Sequence, residues 1–295
     1  MSITPGQGAI HVALTFDDNF WAPAYAVARS ICLTTKRRAD VVIHFCHFGL
    51  SAEHRADLDT LAMEFPSTFM FHAMDENAEF ARLVEQLPAG KRFPKIIYTR
   101  LMLDHVLPDV ERVIYLDCDT MVLAPIEHLY EQDMKDQPLA AVSDPFRLHI
   151  MMGRDMRSKK GIFDPADRYF NSGVLLIDLK RFAAIDVRAR LAELRDNGIL
   201  KRLYYDQDML NLLFRDRWTE LEWRFNCIDP WFAQQALNPY IIHYTGHNRP
   251  WQILNLVAFR NIYRHVMTNE LYYRFWQHNF KRRWKKRFNR LIGRK

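Results

Sequence analysis

The sequence predicts an α/β fold, a mixed but mainly parallel sheet with helices on both faces. Short β-branched and aromatic runs alternate with helix-length segments from Ala9 to Ala73, and parallel strands need such crossovers. Polar clusters rich in Asp stand at the ends of two apolar strands, Asp17-Asp18-Asn19 and Asp117-Cys118-Asp119, and ligands of open α/β sheets sit beyond such carboxyl ends. With 295 residues, 49% apolar and 26% charged, the chain is long enough for one large domain with a globular composition.

In chain order, Ala9–Phe16 (AIHVALTF) reads as a strand. Ala22–Thr34 follows with small and apolar residues at helical spacing. Val41–Phe48 (VVIHFCHF) is a second strand, and Ser51 caps a helix running to about Phe65, with Leu58, Leu61, Ala62 and Phe65 on one face. Thr68–Ala73 is a third strand. Thr99–Val106 reads as a helix and Arg112–Leu116 as a strand leading into the acidic triplet. Residues 145–168 are polar, Met-rich and without a clear period, and are expected to form a long loop or lid. Gly173–Leu179 is a buried strand, Asp206–Phe214 a helix with acids in its first turn, and Tyr240–Ile242 a short strand.

Composition excludes several classes of protein. Cys32, Cys46, Cys118 and Cys227 are far apart with no C-x-x-C pair, so reduced, buried thiols are expected rather than a disulfide framework or zinc finger. No run approaches the roughly 18–20 apolar residues of a spanning helix. The beginning, MSITPGQGAI, has neither a basic nor an apolar leader region, so a cytoplasmic protein is expected. Of 41 basic residues nine fall in positions 279–295, which hold no acid; the remaining 32 face 35 acids, so the body is mildly acidic. That balance argues against a nucleic-acid partner.

Asp117 and Asp119 alternate along the strand end, which puts both carboxylates on one face and Cys118 on the other. Two such acids can hold a hard divalent cation that neutralises a diphosphate. A haloacid-dehalogenase-like phosphohydrolase uses the same strand–D-x-D pattern with the first acid, here Asp117, as nucleophile. Met121 stands where that pattern has Thr or Val, and three strands precede the triplet.

The sequence resembles the retaining glycosyltransferases of family 8, particularly the bacterial lipopolysaccharide galactosyl- and glucosyltransferases of the GT-A fold. Six ordered segments between about Ala9 and Trp251 carry the resemblance: LTFDDNF, YTRLML, YLDCDT, YFNSGVLLIDL, YDQDMLN and HYTGHNRPW. It implies a Rossmann-like nucleotide-diphospho-sugar fold and a UDP-sugar site formed by Thr15, Asp17, Asp18, Asn19, Arg100, Asp117, Cys118, Asp119, Asn171, Gln207, His243, Gly246 and Arg249. Within it, Asp17 and Asn19 lie at the uridine and Asn171 faces the donor sugar. Asp206 and Gln207 are the implied catalytic residues, beside the anomeric carbon. Asp117, Asp119 and His243 are the implied metal ligands, two oxygens and an imidazole that suit Mn²⁺, with Mg²⁺ an alternative. The family's last motif, H-x-x-G-x-x-K-P-W, has Arg249 where it carries lysine; the guanidinium keeps the charge but brings a planar fork.

The resemblance implies an enzyme transferring galactose or glucose from a UDP-sugar to a lipid-linked saccharide of the lipopolysaccharide or lipooligosaccharide core. Residues 1–258 are expected to form the transferase domain, with a nucleotide-binding half at about 9–125 and an acceptor half at about 126–258. The segment 259–295 mixes Phe280, Trp284 and Phe288 with its basic residues, and such composition suits an anionic membrane surface. Peripheral attachment to the inner membrane is therefore expected. The other readings are the phosphohydrolase and a basic-tailed binding protein without catalysis.

Overall fold

The computed structural model describes residues 8–88, 95–145, 161–164, 166–203, 205–252 and 255–291. Most of the expected loop at 145–168, namely 146–160 and 165, lies outside the described residues.

The first three strand–helix units form as the pattern predicts: β1 (Ile10–Asp17), α1 (Trp21–Thr34), β2 (Val41–Phe48), α2 (Ala52–Glu64) and β3 (Thr68–Ala73). Ser51 caps α2 by accepting from His54 N–H. Leu58, Leu61 and Phe65 are buried, but Ala62 is exposed because the buried stripe of α2 is narrower than expected. α3 (Ala78–Glu85) follows. The helix expected at Thr99–Val106 is instead a 3-10 helix, Lys95–Met102, continued by α4 (Leu103–Val106). Its tighter winding lets Arg100 Nε reach the Ile97 carbonyl at 3.2 Å. β4 (Arg112–Asp117), β5 (Thr120–Val122), α5 (Glu127–Tyr130) and β6 (Leu139–Ser143) come next. β7 spans Phe170–Asp178, starting three residues earlier than the glycine; Asp178 then caps α6 (Leu179–Ala183). The chain continues through α7 (Val187–Asp196), α8 (Tyr205–Leu213), β8 (Trp218–Glu220), β9 (Cys227–Ile228), β10 (Ile241–His243), α9 (Arg260–Met267) and α10 (Asn269–Leu291).

Seven strands form one sheet in the order β3-β2-β1-β4-β7-β6-β8, and three form another, β5-β10-β9. β1 is parallel to β2 and β4, and β2 to β3, whereas β7 runs antiparallel to both β4 and β6. Side chains alternate between two cores, as a strand covered on both faces requires. Ile114 and Leu116 of β4 enter the core under α1, α2, α9 and α10; Val113 and Tyr115 enter the one under α3 and α6–α8. Phe259, Tyr263, Met267, Tyr272 and Phe275 belong to the first core. The segment after 258 therefore begins as part of the body, and only its outer length projects. All four cysteines are buried and unpaired.

Candidate active site

After β3 the chain crosses to the other side of β1 to form β4, so a crevice opens beyond the carboxyl ends of these two strands. Thr15 of β1 pairs with Asp117 of β4 there. Antiparallel β7 brings its amino end, Asn171-Ser172-Gly173, to the same place. The turn after Asp117 leads into β5, whose antiparallel partner β10 sets His243 opposite Thr120.

Asp117, Asp119 and His243 thus converge, each offering a ligand atom within 4.8 Å of the others. His243 Nε2 lies 3.1 Å from Asp119 Oδ1 and 3.7 Å from Asp117 Oδ2. A directed hydrogen-bond chain fixes the imidazole. Gly173 N–H donates to Asn171 Oδ1, so Asn226 Nδ2 must donate to that same oxygen, which turns Asn226 Oδ1 toward His243 Nδ1 at 3.1 Å. Nδ1 therefore carries the proton, and in the neutral ring Nε2 presents its lone pair to the carboxylates, as a metal-bound histidine does. Asp119 Oδ1 is sealed from solvent without a hydrogen bond. An oxygen and a lone pair facing each other in a buried site are stabilised by a cation between them, and two carboxylates with an imidazole are a fitting donor set for a divalent ion. Burial alone would lower the pKa of His243, but the Asp119 and Asp117 carboxylates outweigh it and hold the imidazole above its ordinary value. The same neighbourhood needs Gly173: a Cβ there would stand 2.0 Å from His243 Cε1 and 2.8 Å from Asp117 Oδ2.

Arg100 is the electrostatic centre of the second group. It is 4% exposed; its Nη2 donates to Asp117 Oδ1 at 2.6 Å, its Nε lies 3.0 Å from Asp206 Oδ2, and its Nη1 donates to the Ser172 carbonyl at 2.8 Å. Two carboxylates and a carbonyl compensate the desolvation of the guanidinium. Burial raises the pKa of Asp206 despite Arg100 beside it. Thr15 Oγ1 lies 2.8 Å from Tyr115 Oη, which donates to Asp117 Oδ1 at 2.7 Å, so Thr15 steadies a metal-cluster acid through the phenol. Gln207 is held at both ends: Oε1 accepts from Ser172 N–H and Asn171 Nδ2, and Nε2 donates to Asp144 Oδ2 at 2.8 Å.

The remaining expected residues divide. Asp17 Oδ1 accepts from Asn19 N–H and shapes the turn at the end of β1. Asp18 is turned to the Ser51 amide and to His54 Nδ1 at 2.7 Å, so its carboxylate serves the α2 junction rather than the crevice. Cys118 packs into the first core with its thiol on the Thr15 carbonyl. Gly246 donates its N–H to Asp229 Oδ1, and a Cβ there would lie 3.2 Å from that carboxylate. Arg249 pairs with Asp119 Oδ2. The Asp117 and Asp119 side chains are only 26% and 16% exposed. Tyr115, Asp144, Tyr169 (whose hydroxyl accepts from Gln207 Nε2 at 3.2 Å), Ser172, Gly173, Asn226 and Asp229 were not anticipated as site residues. Asp144, a strand-end acid beside β6, bears a signal of the kind that marked Asp117; Tyr115 and Gly173 act on acceptors two residues away, and Tyr169, Ser172, Asn226 and Asp229 on neighbours remote in sequence.

Residues 11–254 match the family described as "Glycosyl transferase family 8". The chain is 24% identical over 280 residues to general stress protein A of Bacillus subtilis, covering 88% of this chain and 93% of that protein. It is 27% identical over 276 residues to a lipopolysaccharide 1,2-glucosyltransferase of Escherichia coli, covering 86% of this chain and 77% of that one. The galactosyltransferase LgtC, solved with donor and acceptor sugar analogues, superposes with a TM-score of 0.70 at 22% identity, over 88% of this chain and 95% of its own. These likenesses accord with the GT-A sheet and with a transferase. With most of its length matched, the chain belongs to glycosyl transferase family 8.

Proposed function

We propose that the protein is a retaining, Mn²⁺-dependent UDP-hexose transferase that extends a lipopolysaccharide or lipooligosaccharide core. The convergence of Asp117, Asp119 and His243 at the sheet's switch point carries this reading. The similarity to the E. coli lipopolysaccharide glucosyltransferase supports the acceptor class. Those three side chains would hold the divalent ion, which supplies positive charge to the diphosphate leaving group. Asp17 and Asn19 bind the uridine, and Gly246 and Arg249 face the diphosphate. Arg100 lies between Asp117 and Asp206 and pairs with both. Asn171 and Gln207, locked by the Ser172 amide and Asp144, orient the hexose, and Asp206 and Gln207 place negative and dipolar oxygens beside the anomeric carbon, where an oxocarbenium-like centre benefits from them. Holding these groups before the sugar arrives removes reorganisation from the barrier.

The outer part of α10 gives the enzyme its attachment to an anionic membrane surface. Trp276, Phe280, Trp284 and Phe288 recur every four residues, all exposed, with Trp276 stacked on Phe280 at 5.4 Å and Phe280 6.1 Å from Trp284. Unlike Phe275, they have no core to enter. An aromatic stripe among lysines and arginines is suited to the headgroup boundary. No described helix is long and apolar enough to cross a membrane.

Release of UDP from a panel of UDP-sugars, with Mn²⁺ or Mg²⁺ and without acceptor, tests the donor reading. Hydrolysis of UDP-galactose or UDP-glucose that needs the ion is expected; absence of UDP release from every sugar would overturn it. Full-length protein should co-sediment with anionic vesicles, less so as salt rises, and deletion of residues 279–295 should abolish this while UDP binding persists.

A further inference from the structure

Arg249 and Arg100 both pair with metal-cluster acids but are held very differently. Arg100 is enclosed by two carboxylates, a carbonyl and the Ser172 hydroxyl. Arg249 has one carboxylate, Asp119 Oδ2, and one carbonyl, Thr245 O at 3.3 Å. Its side chain is 21% exposed, against 5% for Arg100, so it stands on the open side of the cluster.

We propose that Arg249 is a charge latch that makes metal and diphosphate binding depend on each other. Without nucleotide its guanidinium holds Asp119 and weakens that carboxylate as a metal ligand; a diphosphate draws the guanidinium off and leaves both oxygens of Asp119 to the ion. This rests on the nucleotide-sugar reading above. Charge supports it. Asp117, Asp119 and Asp206 face two guanidiniums and the His243 imidazole, a nearly balanced cluster to which a divalent ion alone adds a positive excess and a diphosphate alone a negative one. Each ligand corrects the imbalance the other creates. The planar fork matters, since it spans the carboxylate and the Thr245 carbonyl together and can re-form its paired bonds on phosphate oxygens. Arg249 therefore acts on the ion through Asp119 and on the diphosphate directly.

Mn²⁺ binding to the full-length chain, read from the loss of the free-ion EPR signal, tests the latch without any turnover. In the wild type, saturating UDP should tighten Mn²⁺ binding by about tenfold or more, within the usual range of coupling between two sites. In Arg249→Gln, Mn²⁺ alone should bind about fivefold tighter than in the wild type, UDP alone should bind more weakly, and the coupling should shrink. Arg249→Lys, which keeps the charge without the fork, should fall between, and serves as the readout should the glutamine variant not fold. Wild-type protein that binds Mn²⁺ and UDP, with variants whose affinity for Mn²⁺ alone is unchanged or weaker, overturns the latch. Wild-type protein that binds no Mn²⁺ even with UDP overturns the nucleotide-sugar reading and the latch with it.

Discussion

His243 and His44 are equally closed to solvent, 3% and 2% exposed, yet the fold drives their protonation in opposite directions. His44 lies in a row across β1, β2 and β3, its Nε2 3.0 Å from His11 Nδ1 and its Nδ1 3.1 Å from His72 Nε2. Its neighbours in the row are imidazoles, so burial pushes its pKa down to about 3 and the other two rings lower it further. His243 has two carboxylates before it, and they more than offset burial. Burial by itself makes a neutral, structural histidine. A cation site needs the acids as well, and Asp117 at the carboxyl end of β4 and Asp119 in the turn after it supply them.

The comparison breaks most visibly at the acids. Asp119→Asn should lower transfer by at least about 10³-fold, the loss expected when a developing charge loses its main electrostatic partner, and should remove Mn²⁺-enhanced UDP binding. Asp117→Ala should do the same and also cost about 1.5–3 kcal/mol of stability, because it leaves the buried Arg100 charge with Asp206 as its one remaining carboxylate partner; activity assays paired with urea unfolding separate the two effects. Turnover near the wild-type value in either variant ends the metal assignment.

Gly173→Ala perturbs the cluster without replacing any of its ligands. The added methyl would collide with His243, and overpacking of this kind costs about 1–3 kcal/mol. A ligand displaced by an ångström can cost about 10²-fold in rate. Steady-state kinetics should show that loss while circular dichroism stays native.

His243→Ala and His44→Leu compare the two histidines directly. The first should weaken Mn²⁺-dependent UDP binding measured by calorimetry; the second should leave it unchanged.

The last effect is on acid stability. His44 binds its proton near pH 6.5 when unfolded but only near pH 3 when folded, so the unfolded chain holds more protons between those values. Stability contributed by His44 is therefore full above pH 6.5 and declines as pH falls toward 3, by at most about 1.4 kcal/mol per pH unit. Denaturation midpoints measured across that window should fall less steeply in His44→Leu; an unchanged slope would show that the row titrates as readily folded as unfolded.

Much of this molecule is determined locally. The parallel units from β1 to β3 follow from β-branched runs and a Ser51 cap, whose preferences need no distant partner. The two acids were legible as a motif at a strand end, but β4 stops at Asp117 and Asp119 lies in the turn before β5, so the turn and not strand alternation brings both to His243. Tertiary structure decided the rest. Nothing near Arg100 in sequence shows that it will be buried between Asp117 and Asp206. Asn226 orients His243, Gly173 clears space for it, and Thr15 acts through Tyr115. Asp18, adjacent to Asp17, faces away to His54 because the extended strand ends at Asp17 and a 3-10 turn begins at Asp18. Phe275 enters the core while Trp276 does not, since the place where α10 leaves α1 depends on packing between segments more than two hundred residues apart. Local pattern selects elements and faces; which charges are desolvated, and against what, is settled only when remote segments meet.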